Sequence, residues 1–211
     1  MTIKKNLVVV GIAGASGSGK SSLANAIMKD IPEVVIIPQD NYYFDLSYVP
    51  FMERRLRNFD HPRSIDNELL VQHIKDLKMG KTIFMPQYDH KTCTRHASGI
   101  EISKCKVIVI EGIMVLSDKN LRKMLDIKIF VDTPLDLCLS RRLQRDVVER
   151  GLKIEDGIKM YNTKTRPMFM KFVKTSRKYA HFLIPKGGRN KVAIDIVRNM
   201  LIKLVDENNV F

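Results

Sequence analysis

Five short runs of apolar, mostly β-branched residues recur along the chain, and stretches whose apolar residues repeat every three or four positions separate most of them. Short, nearly continuous apolar runs are typical of strands buried on both faces, and the longer period is typical of helices. Their alternation indicates parallel strands joined by helical crossovers, which is an α/β fold. The predicted strands are Leu7 to Ile12, Val34 to Pro38, Lys106 to Ile110, Ile127 to Asp132 and Phe182 to Pro185.

End signals and apolar stripes locate three of the helices. Thr133 can cap a helix that has Pro134 at its first position, and Gly151 can end that helix. Stripes of helical period predict buried faces on two others. These stripes are Leu70, Ile74 and Leu77, ending at Gly80, and, near the carboxyl end, Val192, Ile196, Met200 and Leu204.

The pattern changes between residues 81 and 104, where short alternating segments surround a polar centre. Alternation of this kind predicts a β-hairpin insertion in the α/β core. Insertions that emerge from a core often build substrate sites. We find no repeat or linker, and 211 residues suit one domain, so a single domain over 1–211 is expected.

Charge and cysteine content narrow the function classes. The net charge of +13 attracts polyanions, and we favour nucleotide phosphates over nucleic acid because the basic residues mass beside a phosphate motif. Three cysteines, Cys93, Cys105 and Cys138, are an odd number in no paired spacing, which indicates reduced thiols and a reducing compartment. The apolar runs are too short for a membrane span, and the first strand begins too early for a signal peptide, so we expect a cytoplasmic protein.

A phosphate-binding loop follows the first predicted strand and opens a helix. The segment fits G-x-x-x-x-G-K-[ST] and consists of Gly14, Ala15, Ser16, Gly17, Ser18, Gly19, Lys20 and Ser21. Its backbone N–H groups would converge on phosphates, Lys20 would reach the β- and γ-phosphates, and the Ser21 hydroxyl would bind Mg²⁺. The alternative is a chance glycine-rich turn. Together with the alternation of strands and helices along the chain, the loop predicts the three-layer sandwich of P-loop NTPases around a five-stranded parallel sheet.

Two acids follow predicted strands at the edge where such sheets bind ligands. Glu111 ends a buried strand and is the expected acid on the metal side, the alternative being a capping or salt-bridged glutamate. Asp40 follows the second strand, where a carboxylate can accept the proton of an attacking hydroxyl. A turn aspartate is the alternative for Asp40.

Arginines cluster on the helix that follows Pro134. Arg141, Arg142 and Arg145 lie within about one turn of each other, and Arg150 follows at the helix end. Such a cluster suits a lid, over residues 141–153, that closes on a triphosphate. The alternative is a solvated basic face paired with Asp136, Asp146 and Glu149.

Taken together, these segments resemble the uridine–cytidine kinase family from about Val9 to Val197. Phosphoribulokinase and pantothenate kinase share the loop and topology but not the whole set of motifs. Besides the phosphate loop, the matching pieces are Gln39-Asp-Asn-Tyr-Tyr43, Phe59-Asp-His-Pro62, Tyr88-Asp89 with Thr94-Arg95, Ile110-Glu-Gly112, Arg141-Arg142 with Arg145-Asp146, Glu149-Arg-Gly151 and Ile184-Pro-Lys-Gly-Gly188.

The resemblance implies transfer of the γ-phosphate of ATP or GTP to the 5′-hydroxyl of uridine or cytidine, in a pocket formed by the hairpin insertion. It implies that Asp40 is the base, that Asp60 and Arg142 hold the ribose hydroxyls, and that Tyr43 and Tyr88 pack near the sugar and base. Arg145 and Arg150 would be lid groups on the phosphates. A homotetramer is also implied.

The chain departs from the family pattern at several positions. His90 and Cys93 replace an aromatic residue and a histidine at the expected base pocket, and Leu152 and Met160 replace an arginine and a glutamine. A thiol is a weak hydrogen-bonding group, so the choice between uridine and cytidine is open. His90, Cys93 and His96 would be an unusual zinc set, with only three ligands at no familiar spacing.

Two other functions remain open at this stage. Another small-molecule kinase of the same fold, similar to phosphoribulokinase or pantothenate kinase, would share the phosphate loop. A nucleic-acid-binding NTPase would also account for the loop and the positive charge. The acceptor-side motifs favour the nucleoside kinase over both.

Overall fold

The computed structural model of the chain describes residues 7–29, 31–54 and 56–207. The predicted domain of 1–211 also includes 1–6 and 208–211, which lie outside the described residues. The strands are β1 (Val8–Gly14), β2 (Val34–Pro38), β3 (Ile83–Met85), β4 (Tyr88–Asp89), β5 (Thr94–Arg95), β6 (Ile100–Ile102), β7 (Val107–Glu111), β8 (Ile127–Asp132) and β9 (Phe182–Pro185). The α-helices are α1 (Lys20–Met28), α2 (Phe51–Arg54), α3 (Asn67–Lys78), α4 (Lys119–Met124), α5 (Leu135–Val148), α6 (Ile154–Met160), α7 (Arg166–Met168), α8 (Lys174–Ser176) and α9 (Lys191–Glu207).

Five strands form one parallel sheet in the order β2-β7-β1-β8-β9. All five predicted strands are present, which confirms the α/β fold. β1 starts one residue later than predicted and runs on into Gly14, so the sheet delivers the chain directly to the phosphate loop. β7 extends to Glu111 and therefore carries this acid on the sheet edge itself.

Alternating side chains of β1 divide the core into two layers. Val9 and Ala13 belong to a cluster with α3 and α4, whereas Val10 and Ile12 pack with α1 and α9 on the other face. Both faces of the sheet are therefore covered, as a parallel sheet requires. The predicted three-layer sandwich is confirmed.

The buried face of α9 differs from the prediction. Val192 and Ile196 are 69% and 58% exposed. Met200 and Leu204 are partly buried and pack against the core as predicted, but the buried residues of α9 are Ile194, Val197, Leu201 and Val205. Two overlapping stripes of this helix have helical period, and its position over β1 and α1 decides which one is buried. The stripe predicted on α3 is buried, with Leu70, Ile74 and Leu77 in the core.

The predicted cap of α5 is also wrong. The helix begins at Leu135 with Pro134 in the cap position, and it ends at Val148, before Gly151. The Thr133 hydroxyl instead donates a 2.9 Å hydrogen bond to the Ser18 carbonyl oxygen. Thr133 therefore stabilises the phosphate loop, a contact between distant segments that no local pattern indicates.

The insertion consists of two antiparallel pairs, β3 with β6 and β4 with β5. It lies outside the five-stranded sheet. After α6 the helical path continues through two π-helical segments, Tyr161–Thr165 and Phe169–Val173, which are rare and often mark functional sites. Among the described residues, no helix is both long and apolar enough to span a membrane.

Candidate active site

The phosphate loop joins β1 to α1 and packs closely on α5. Gly17 has φ of +81°, and a Cβ built there would lie 2.4 Å from the Cys138 carbonyl oxygen of α5. Both the left-handed backbone and the lack of space require glycine at this position. The loop is thus set by main-chain geometry, with its N–H groups at the amino end of a helix where anions bind.

Lys20 is buried at the base of the loop, with 8% of its surface exposed. Its ammonium group donates to the Ala15 carbonyl oxygen at 3.0 Å. Burial lowers the pKa of Lys20, and the nearby carboxylates of Glu111 and Asp40 partly offset that effect. A phosphate placed in the loop would supply the negative charge that this desolvated cation lacks.

Ser21 and Glu111 meet where the loop passes the edge of the sheet. The Ser21 hydroxyl donates to Glu111 Oε1 at 2.7 Å. Burial raises the pKa of Glu111, and the charge of Asp40 acts in the same direction while Lys20 opposes it. A hydroxyl and acidic oxygens gathered beside a phosphate loop are hard ligands, which fit Mg²⁺.

Asp40 lies in the 3₁₀ turn Gln39–Tyr42 that follows β2. Within the described residues, its carboxylate makes no hydrogen bond or ion pair, and it faces an open cleft. The turn is held by buried Gln39, whose side chain accepts from the Met114 backbone N–H at 3.0 Å and donates to Asn67 at 3.1 Å. Asp40 is therefore a free acceptor on a fixed turn.

Asp60 forms a buried ion pair with Arg142 in the middle of the cleft. Arg142 Nη1 and Nη2 lie 3.1 and 3.4 Å from the two carboxylate oxygens. The hydroxyl of Thr165, in the first π-helical segment, also donates to Asp60 at 2.8 Å. A carboxylate has about four lone-pair positions, so one remains for a ligand hydroxyl.

One carboxylate, Asp146, collects three arginines. Its oxygens lie 3.3 Å from Arg142, 2.9 Å from Arg145 and 3.3 Å from Arg150. Burial lowers the pKa of Arg150, and the charge of Arg145 contributes further. Asp146 and Asp60 together supply two negative charges for three guanidinium groups, so this cluster retains positive charge for an anionic ligand.

The alternative interpretation was a solvated basic face paired with Asp136, Asp146 and Glu149. Of these three acids, Asp146 is the one that pairs with the arginines in the described part of the chain. Neither Asp136 nor Glu149 forms an ion pair with them in the described part of the chain, and Arg142 is buried between Asp60 and Asp146. Burial by itself would lower the pKa of Arg142, but the two carboxylates raise it. Arg141 points to the phosphate loop, where it donates to the Gly17 carbonyl oxygen at 3.4 Å.

An open cleft connects these groups. It brings together ten of the residues predicted from sequence, namely Ser16, Asp40, Tyr43, Asp60, Tyr88, His90, Cys93, Arg142, Arg145 and Arg150. The other predicted residues form the phosphate loop and the Ser21–Glu111 pair beside it. The cleft therefore runs from the loop to the hairpin insertion.

Aromatic rings line the end of the cleft away from the loop. The Tyr43 ring lies 5.3 Å from the rings of both Phe59 and Tyr88, and Tyr88 lies 5.3 Å from His90. The Tyr88 hydroxyl is buried and has no hydrogen-bond partner among the described residues. A flat aromatic ring would pack against these side chains.

His90 and Cys93 complete this aromatic end. Burial lowers the pKa of His90, and Arg150 lowers it further, so the imidazole is neutral at neutral pH. Cys93 has φ of +56° and donates from Sγ to the His90 carbonyl oxygen at 3.7 Å. The described residues contain no group of three or more histidine, cysteine or acidic side chains, such as His90, Cys93 and His96, that could hold a metal ion.

Sequence reasoning missed two features of the site. Thr165 contacts Asp60 from a helix more than a hundred residues away, and no local signal identifies it. Gly187 packs on the phosphate loop, and a Cβ there would lie 2.7 Å from the Ser18 carbonyl oxygen. The Lys186-Gly-Gly188 motif was visible in the sequence, but nothing in it indicated this contact.

The model of the phosphoribulokinase / uridine kinase family matches residues 9–193. The chain belongs to this family. A uridine kinase from Proteus mirabilis is 48% identical over 196 residues, which cover 90% of this chain and 92% of the relative. A uridine kinase from Haemophilus influenzae is 40% identical over 206 residues, covering 95% of this chain and 97% of the relative.

A solved structure of the same fold is D-glycerate 3-kinase from Cryptococcus neoformans var. grubii. It is 18% identical, has a TM-score of 0.61, and the match covers 82% of this chain and 80% of that one. At this identity the likeness shows the fold alone. Membership of the phosphoribulokinase / uridine kinase family confirms the resemblance found from the motifs.

Proposed function

We propose that the chain transfers the γ-phosphoryl group of ATP or GTP to the 5′-hydroxyl of uridine or cytidine, giving the nucleoside monophosphate. The observation that carries this proposal is the single cleft that joins the phosphate loop to an aromatic end, with Asp40 between them. The names of the curated relatives support uridine as an acceptor.

The donor nucleotide occupies the loop end. Backbone N–H groups of Gly14 to Ser21 and the Lys20 ammonium group bind the β- and γ-phosphates. Arg145 and Arg150, which share Asp146 in this structure, approach the phosphates when the lid region 141–153 closes. Their charge then stabilises the transferring phosphoryl group.

Asp40 accepts the proton of the acceptor. As the 5′-hydroxyl oxygen forms its bond to the γ-phosphorus, the bond to the β–γ bridging oxygen breaks, ADP or GDP leaves, and the hydroxyl proton passes to Asp40. Ser21 and Glu111 would hold Mg²⁺, which when bound neutralises charge on the phosphates. The 2.7 Å contact between the Ser21 hydroxyl and Glu111 Oε1 beside the loop supports this assignment.

The nucleoside occupies the other end of the cleft. The ribose hydroxyls bind the remaining lone pair of Asp60 and the free N–H groups of Arg142. The base packs against Tyr43 and Tyr88, and its polar edge faces His90 and Cys93. The neutral imidazole of His90 can donate or accept, and this suits either pyrimidine.

We further propose a cytoplasmic homotetramer that acts in pyrimidine salvage. The tetramer follows from the family resemblance, and an odd number of cysteines fits a reducing compartment. Light scattering on the purified protein tests the subunit number. A single species with the mass of one chain would reject the tetramer.

A coupled assay with ATP and MgCl₂ tests the proposed activity. Uridine or cytidine should give the monophosphate, and 5′-deoxyuridine, which lacks the reacting hydroxyl, should inhibit without giving product. Ribulose 5-phosphate and pantothenate serve as rival acceptors. Turnover of a rival in the absence of any nucleoside product would refute the proposal and favour another kinase activity of the same family.

A further inference from the structure

Arg95 connects the hairpin insertion to the segment that follows Asp40. It lies in β5 directly opposite Tyr88 of β4 in the antiparallel register. Its side chain leaves the hairpin and contacts the carbonyl oxygens of Tyr42 and Tyr43. The residue thus stands between the wall that carries Tyr88 and the turn that carries Asp40.

The contacts of Arg95 are numerous and close. Nε donates to the Tyr43 carbonyl oxygen at 2.7 Å, and Nη2 donates to the Tyr42 carbonyl oxygen at 3.0 Å. Nη2 also lies 3.4 Å from the Asp66 carboxylate, at the cap of α3. The Arg95 backbone N–H donates to Asp45 Oδ1 at 3.0 Å. One residue therefore joins the hairpin, the turn after β2 and the start of α3.

Only arginine suits this arrangement. A planar guanidinium group reaches two carbonyl oxygens and a carboxylate at once, whereas a lysine ammonium group presents a single charged point. The two tyrosine carbonyls belong to residues whose side chains are buried in the core. A bond to these carbonyls therefore fixes the backbone that carries the side chains.

We propose that Arg95 is a positioning residue. It sets the distance between the β4–β5 hairpin, which carries Tyr88, and the turn Gln39–Tyr42, which carries Asp40, and so aligns the acceptor hydroxyl with the Asp40 carboxylate. The inference rests on the proposed function, because it assigns the acceptor to the space between these two elements. The centroids of the Tyr43 and Tyr88 rings lie 5.3 Å apart, and this distance would change if the hairpin moved relative to the turn.

The effect should be confined to the acceptor end. Arg95 makes no hydrogen bond or ion pair with residues 14–21 among the contacts of the described chain. Loss of the guanidinium group should therefore leave the donor nucleotide in place while the acceptor is misaligned. Misplacement of reacting groups by about 1 Å can reduce rates by about 100-fold.

Arg95→Lys tests the proposal, with Arg198→Lys as a matched control. Arg198 also bonds two backbone carbonyls, those of Ala26 and Ile27, and one carboxylate, Asp195, but on the helix layer away from the cleft. We expect Arg95→Lys to raise the uridine KM and lower kcat, by about tenfold or more in kcat/KM, with an unchanged Kd for ATP. Arg198→Lys should leave all three constants unchanged.

Hydrogen exchange gives a readout that does not need turnover. Amide exchange in residues 42–45 and 94–96 should speed up in Arg95→Lys and stay unchanged in residues 14–21. Unchanged exchange and kinetics, or equal losses of ATP and uridine binding, would overturn the proposal. If wild type uses another acceptor, the proposed function fails but the exchange prediction for Arg95 stands or falls separately.

Asp66→Asn provides a second variant if Arg95→Lys does not fold. Asparagine can still cap α3 through its side-chain oxygen, which Asp66 uses to accept from Leu69 N–H at 3.0 Å, but it removes the charge that pairs with Arg95. We expect the same kinetic pattern as for Arg95→Lys, with a smaller change of a few fold in kcat/KM. Wild-type kinetics and exchange in Asp66→Asn would count against the positioning role.

Discussion

The two ends of the cleft are built in different ways. The donor end is one continuous segment, Gly14 to Ser21, between the central strand and its following helix, and its chemistry is mostly that of backbone N–H groups. The acceptor end is assembled from side chains on a 3₁₀ turn, a hairpin with two-residue strands, and two helical regions. The donor end therefore depends on the local geometry of one segment, whereas the acceptor end depends on several distant segments coming together.

Because of this difference, the residues that bind the phosphates and the residues that select the acceptor lie on separate parts of the chain. The phosphate loop is bounded by close backbone contacts, such as Gly17 against Cys138, which leave little room for substitution. His90 and Cys93 lie on an insertion outside the five-stranded sheet, where substitutions are tolerated more readily than in the sheet itself, although Cys93 is buried. All four departures from the family pattern, His90, Cys93, Leu152 and Met160, line the cleft.

Asp40→Asn should produce the largest effect, because it removes the proton acceptor that lies between the donor end and the acceptor end. An amide cannot accept the proton, so kcat should fall by about 100-fold to 10,000-fold while ATP binding is nearly unchanged. Steady-state kinetics and ATP titration measure the two quantities. Asp132→Asn, at an exposed ion pair with Arg177, is the control. Full activity of Asp40→Asn would remove this residue from the mechanism.

Gly17→Ala should break the donor end alone. The new Cβ meets a backbone carbonyl oxygen at 2.4 Å in addition to the strain of positive φ, so both ATP affinity and Tm should fall. Gly80→Ala is a matched control because Gly80 has φ of +74° but no atom within 4 Å of the added Cβ. If the two variants lose the same stability and ATP affinity is unchanged, the close contact with α5 is unimportant.

Cys93→His should change the preference between uridine and cytidine at the acceptor end and leave ATP binding at the donor end unchanged. Histidine tolerates the left-handed backbone at this position better than most residues, and it restores a strong hydrogen-bonding group to the base edge. The ratio of kcat/KM for uridine and cytidine should change by about tenfold, in favour of the poorer substrate of wild type. An unchanged ratio would indicate that Cys93 does not face the base.

His90→Phe should give the smallest effect, on the pH dependence of stability. Burial and Arg150 keep the pKa of His90 below its ordinary value of 6.5, so the unfolded chain binds a proton first as the pH falls. Stability present above pH 6.5 is therefore lost as the pH falls from there through the folded pKa. Asp40, Asp89, Arg145 and Arg150 face the imidazole and set this balance.

Thermal unfolding between pH 7.5 and pH 5 measures the difference. Wild type should lose more Tm over this range than His90→Phe, while His73 and His181, whose pKa values are also lowered, contribute equally to both proteins. Equal losses would show that His90 is not held neutral by its surroundings.

Much of the fold was predictable because its signals are local. The five strands of the sheet, the α3 stripe and the loop between β1 and α1 are each encoded in consecutive residues. The prediction for Thr133 was wrong, and that for α9 was wrong for Val192 and Ile196, for the same reason. The buried stripe of α9 and the contact of Thr133 with Ser18 depend on what packs against them, which a local pattern does not contain.

The sequence by itself determined the donor side, because eight consecutive residues between a strand and a helix are enough to shape a phosphate-binding loop. Only the tertiary structure decided how the acceptor side is assembled. Thr165 and Arg142 reach Asp60 from other helices, and Arg95 bonds the backbone of Tyr42 and Tyr43 across the insertion. Such contacts join residues far apart in the chain, so they exist only once the sheet and its helices have brought these segments together.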